Sequence, residues 1–106
     1  MPFRINKYRN KRTEYHGHVF ASKHEAAIYQ QIELLKMAGE IKEIELQKSF
    51  EILVNGHKIC KYIADFVAYD RHGTRRVIDA KGVKTAVYKL KQKLMLAVWG
   101  IEIEEM

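Results

Sequence analysis

YIADFVAYD at residues 62–70 and RRVIDAKG at residues 75–82 decide the fold. Each has the length and apolar content of a β-strand, and the turn-forming run Asp70-Arg71-His72-Gly73-Thr74 lies between them. Side chains alternate along a strand, so Val77, Asp79 and Lys81 share one face and Ile78 and Ala80 the other. In the preceding strand Ile63, Asp65 and Val67 share a face, opposite Ala64, Phe66 and Ala68. A register that sets Asp65 beside Asp79 brings two carboxylates and an ammonium onto one sheet surface. Like charges in an apolar setting cost free energy unless a cation neutralises them.

Working outward, Ile41 to Val54 alternates as a strand through Ile44, Leu46, Phe50, Ile52 and Val54. Asn55-Gly56 is a two-residue hairpin signal, and the chain returns through Ile59 to Tyr69. The three strands make an antiparallel meander. Upstream, Thr13 to Phe20 forms a short strand or extended segment, and Ser22 opens a helix whose apolar stripe is Ile28, Tyr29, Ile32 and Leu35. Gly39 caps its end. Downstream, a second helix over Thr85–Val98 buries Val87, Leu90, Leu94 and Val98 and stops at Gly100; Ile101–Glu104 is a last edge strand. The fold class is α/β, in the order α-β-β-β-α-β, with a central mixed sheet flanked by two helices. Residues 1–12 form a basic arm, lying along a groove or disordered, and residues 13–106 a single domain.

Composition narrows the partners. The 106 residues carry a formal net charge of +6, which favours an anionic partner such as nucleic acid. Arg4, Lys7, Arg9, Lys11 and Arg12 crowd the N-terminus, and Lys81, Lys84, Lys89, Lys91 and Lys93 follow the acidic motif. Lys84, Lys89, Lys93, Lys7, Lys11 and Arg12 are the candidates for phosphate contact. A solvated polar helix face explains Lys89 and Lys93 equally well. No run reaches the roughly 18 to 20 apolar residues of a membrane span, and the N-terminus lacks a signal peptide's apolar region, so a cytoplasmic location is expected. Cys60 is the only cysteine, which excludes an intrachain disulfide and a cysteine-based zinc cage. His16 and His18, two apart, point the same way on a strand and are read as surface residues; Tyr62, Tyr88 and Trp99 are read as core or core-edge. No Gly-rich phosphate cradle or acyl-transfer triad is present, and no organic cofactor is implied.

Two aspartates, with the backbone carbonyl of Ala80, make a plausible oxygen site for Mg2+ or Mn2+. Lys81 then orients or deprotonates an attacking water, or stabilises charge on the phosphate. An Asp and a Lys two apart on a strand also form solvated ion pairs worth about 0–1 kcal/mol. The second Asp and the basic helix that follows lift the motif above that reading. Glu25, three residues after Ser22, fits a capping box on local physics.

FASKHEA, the Leu46-Gln47 strand, YIADFV, DAKG and YKLKQKLM, in this order and spacing, resemble the PD-(D/E)XK nuclease superfamily. The likeness is closest to small phage and prophage proteins long catalogued as a domain of unknown function. It covers the chain from Tyr15 onward. The resemblance implies a restriction-endonuclease-like core and a metal-dependent endodeoxyribonuclease, related to phage enzymes that resolve Holliday junctions and acting in the bacterial host cell if phage-encoded. It matches Asp65 and Asp79 to the metal-binding acids, Lys81 to the catalytic lysine and Glu25 to an acid on the first helix; Gln47 takes a strand position within reach. Ala64 stands where the superfamily's name has proline. Cutting both strands of DNA calls for two sites, hence a homodimer. The alternative is a non-catalytic DNA-binding module that retains the fold; an RNA-directed nuclease is a third reading.

Overall fold

The computed structural model describes residues 12–80 and 84–106. Its elements are β1 (Thr13–Tyr15), β2 (His18–Phe20), α1 (Lys23–Met37), β3 (Ile41–Val54), β4 (His57–Asp70), β5 (Arg75–Asp79), α2 (Ala86–Leu94) and β6 (Glu104–Glu105). The main sheet runs β3-β4-β5-β6, antiparallel through β5 and parallel between β5 and β6, and is therefore mixed. An α/β core with two helices is the architecture, as the patterning indicates.

Local chemistry explains the boundaries. The Ser22 side chain accepts from the Glu25 N–H at 3.1 Å and caps α1. At the other end Gly39 takes φ +84; its N–H donates to the Lys36 carbonyl and the Glu40 N–H to that of Leu35, a Schellman closure that turns the chain into β3. Asn55 and Gly56, both at positive φ, make the tight turn between β3 and β4. Asp70 Oδ1 accepts from the His72 and Thr74 N–H groups at 2.8 Å each and shapes the β4–β5 turn. Ser22→Ala should lower stability by about 1 kcal/mol, because it orphans a helix N–H; thermal melting checks it.

Two hydrophobic clusters cover the two faces of the sheet. On the α1 side Phe20, Ile28, Tyr29 and Ile32 pack on Ile41, Phe66, Ala68 and Ile78. On the α2 side Phe50, Ile52, Tyr62, Ala64, Val67 and Val77 enclose Tyr88, Met95 and Ile103. The membership breaks strand alternation. Tyr62 and Ala64 lie on the α2 side, whereas Phe66 and Ala68, of the same parity, lie on the α1 side. In β3, Ile44 and Leu46 pack on the α1 cluster, whereas Phe50 and Ile52 belong to the α2 cluster. Both strands change sides at one level, that of Gln47 and Asp65. Gln47 has φ +53, and the β3–β4 partners pass from Leu46↔Phe66 to Lys48↔Ala64 around it. In β3 the left-handed Gln47 accompanies the change of face, and β4, paired to it residue for residue, changes side at the same level without a left-handed residue of its own. The expected common face for Ala64, Phe66 and Ala68 is corrected accordingly.

Three further expectations are corrected. Thr13–Phe20 is a two-stranded hairpin, with His16 (φ +49) and Gly17 at its turn, so His16 and His18 are not successive same-face strand residues. His16 Nδ1 instead pairs with Glu33 Oε1 at 3.0 Å. The second helix buries a different face. Val87 and Leu90 are 62% and 58% exposed and Val98 is exposed too, while Tyr88 and Met95 are buried. Beyond Leu94 the helix widens into a π-helical turn, Met95–Trp99, which rotates the last residues relative to the α-helical count. Leu35, at the end of the α1 stripe, is exposed, and Trp99 lies at the core edge, donating to the Glu51 carbonyl at 2.9 Å. Among the described residues no helix is long and apolar enough to cross a membrane.

Candidate metal centre

The β4–β5 ladder ends at Phe66↔Ile78, and continuing its register by one pair sets Asp65 opposite Asp79. There the side chains take over from the ladder. The Asp65 N–H donates to Asp79 Oδ1 at 3.2 Å, and the Ala80 N–H donates to Asp65 Oδ2 at 2.9 Å. Each aspartate thus satisfies a backbone donor of the neighbouring strand segment, that of Asp65 within β4 and that of Ala80 just past β5, and the reciprocity holds both carboxylates at one point. Asp79 is fully buried, and its Oδ2 accepts from the Tyr62 hydroxyl. Gln47 Nε2 lies 3.4 Å from Asp65 Oδ1, so the left-handed residue of β3 touches the same cluster.

Glu25 arrives from the first turn of α1 and is 7% exposed. Its Oε1 accepts from the Ala21 N–H at 2.9 Å. The capping interaction therefore exists, displaced by one residue from the expected box, and the side chain also stands beside Asp65. Burial raises the Asp65 carboxyl above the ordinary aspartate range. The Ala80 N–H and Asp79 oppose that rise, while the hydrogen bond and charge of Glu25 add to it. Burial and the neighbouring Asp79 carboxylate likewise push the Tyr62 phenol upward, so it remains a donor. The Tyr88 hydroxyl, raised by burial, then Glu105 and then Asp79, donates to Glu105 Oε2 at 2.8 Å.

Oxygen donors only, two of them buried carboxylates, suit a hard divalent cation. Among the described residues neither Glu25 nor Asp65 forms an ion pair, so these two carboxyl groups offer charge that a cation would balance. The arrangement is not a finished cage: among the described residues no group of three His, Cys, Asp or Glu side chains is gathered tightly enough to hold a metal. Glu25 is next to the pair rather than closed onto it. β5 ends at Asp79, so Ala80 lies just past the ladder, with its N–H committed to Asp65.

A stability consequence follows for the metal-free chain. Folding raises the Asp65 pKa, so the folded state holds that proton more tightly than the unfolded state. The resulting stabilisation is present below the unfolded pKa and is lost as pH rises through the folded one. Asp65→Asn should therefore melt a few degrees above wild type at neutral pH without metal, and the gap should close on acidification into the ordinary carboxylate range. Melting curves across pH check it.

The basic candidates separate. Lys84 Nζ is 2.7 Å from Glu105 Oε1, tied back to β6, whereas Lys89 and Lys93 are exposed on α2, and Arg12, just before β1, is exposed as well. Lys81, Lys7 and Lys11 lie outside the described residues. Tyr62 is the site residue that strand patterning assigned to packing alone. A buried phenol seeks a partner for its hydroxyl, and that was the signal available.

A family model matches residues 5–100, and the chain belongs to that family, described as "Protein of unknown function (DUF1064)". No curated protein and no solved structure matches the chain.

Proposed function

We propose that this chain is a metal-dependent endodeoxyribonuclease with a PD-(D/E)XK-type centre. The observation that carries the reading is the meeting of Asp65 and Asp79, Asp79 accepting the Asp65 N–H and Asp65 the N–H of Ala80 just past the end of β5, with Glu25 beside them. Asp65 and Asp79 would hold Mg2+ or Mn2+, with Glu25 and the Ala80 backbone as further oxygen donors. When bound, such an ion polarises a phosphoryl oxygen, acidifies a water and offsets charge on the departing oxygen. The chain's own part is positional. The Asp65–Ala80 and Asp65–Asp79 hydrogen bonds fix the acids before substrate arrives, and Phe66 and Ala64 exclude water behind them. Lys81, two residues past Asp79, would orient the attacking water, take its proton or stabilise phosphate charge. Exposed Lys89 and Lys93, with the net charge of +6, support DNA as the substrate, branched or junction DNA included. A homodimer would supply two centres for two strands, and exposed Val87 and Leu90 on α2 support association.

The test is incubation with supercoiled plasmid and a synthetic four-way junction in Mg2+, Mn2+ or EDTA. Nicking or junction cleavage that EDTA abolishes is the expected result. Salt-sensitive DNA binding without any metal-dependent cleavage would assign the chain to a non-catalytic binding module instead. Cleavage of RNA but not DNA would change the substrate and keep the chemistry.

A further inference from the structure

Asp79 is the most deeply buried acid of the centre, and both of its oxygens are addressed from β4. One receives the Asp65 backbone N–H; the other receives a side chain three residues earlier, the Tyr62 hydroxyl. The reach of Tyr62 depends on the break at Gln47 and Asp65. With uninterrupted alternation Tyr62 would share the α1-side face of Phe66 and Ala68; the reversal turns it to the α2 side, where Val77 lies and Asp79 has the same parity. Its ring is 3% exposed and stacks near Phe50, with centroids 6.5 Å apart, so its orientation is set by packing.

We infer that Tyr62 is a positioning residue for the metal centre: its hydroxyl fixes the carboxylate plane of Asp79, through which it sets the affinity for the divalent cation. The inference rests on the metal-centre reading above. Groups that hydrogen-bond a metal-ligating side chain orient it, and a buried carboxylate that loses one of its donors is freer to turn or to retain a proton rather than receive an ion. Tyr62 does not touch substrate in this scheme; it acts through Asp79.

The test is a titration of the metal-free protein with Mn2+, following the EPR signal of the unbound ion. Tyr62→Phe, which keeps the ring and removes the hydroxyl, should weaken Mn2+ binding about 10–100-fold, the usual effect of losing such an outer partner. Tyr69→Phe removes a hydroxyl from the same strand, one that donates to Glu45 at 3.1 Å away from the acids, and should leave Mn2+ binding unchanged. Circular dichroism and melting establish that each variant is folded; if Tyr62→Phe is not, Tyr62→Met carries the same expectation. Wild-type Mn2+ affinity in a folded Tyr62 variant, with only its melting temperature lowered, would make Tyr62 a packing residue and overturn the inference while leaving the metal centre standing. Absence of Mn2+ binding by the wild-type chain would overturn the metal centre and this inference with it.

Discussion

Asp79→Asn is expected to reduce metal-dependent DNA cleavage by roughly 10²–10³-fold or more, the scale set by removing one group that stabilises transition-state charge. DNA affinity should be maintained or rise, because phosphate contacts to basic residues carry binding and the substitution removes a negative charge. Asparagine is the informative replacement. Its side-chain oxygen can still accept from Tyr62 or from the Asp65 N–H, whereas alanine would orphan buried donors at about 1–3 kcal/mol each. Asp79→Ala should likewise abolish cutting, with a stability loss superimposed. Plasmid nicking measured beside electrophoretic mobility shifts separates the two effects. Equal loss of binding and cleavage would mean that Asp79 supports the fold and not the chemistry.

The second large effect concerns stability. Phe66 is 1% exposed and stands next to Asp65, with its ring 6.0 Å from Tyr29 and 6.2 Å from Phe20, centroid to centroid. It fastens α1, which bears Glu25, and β2 to β4, which bears Asp65. Phe66→Ala should cost about 3–5 kcal/mol, from lost burial and the cavity left behind. For a domain of this size that is a large share of the total stability of about 5–15 kcal/mol. Chemical denaturation should show a lower midpoint with an unchanged slope. A loss below about 1 kcal/mol would show that the α1-side cluster relaxes to fill the space.

Much of the scaffold was legible because local and global signals agree there. The strands Ile41–Val54 and His57–Asp70 and the Asn55-Gly56 turn between them are stretches where strand propensity and turn chemistry agree. The stripe of Ile28, Tyr29 and Ile32 fixed α1, and Ser22 and Gly39 its ends. Asp65 and Asp79 were legible as a pair on the condition of a register that sets them side by side, and the ladder ending at Phe66↔Ile78 meets that condition.

The face of α2 was not legible. Val87, Leu90, Leu94 and Val98 form the more apolar stripe, yet Tyr88 and Met95 turn inward, because Tyr88 meets Glu105 and the helix widens at Met95. That choice is made by tertiary contacts, which periodicity does not contain. The reversal at Gln47 and Asp65 was equally hidden. Glycine or asparagine would have marked a left-handed position, but glutamine carries no such signal. With the reversal went the orientation of Tyr62, and so its link to Asp79.

The cation site itself is tested most directly by soaking crystals in MnCl2 and collecting anomalous data. The predicted result is a peak within about 2.0–2.4 Å of carboxylate oxygens of both Asp65 and Asp79. A peak elsewhere, or none at saturating Mn2+ with both side chains ordered, would contradict the site.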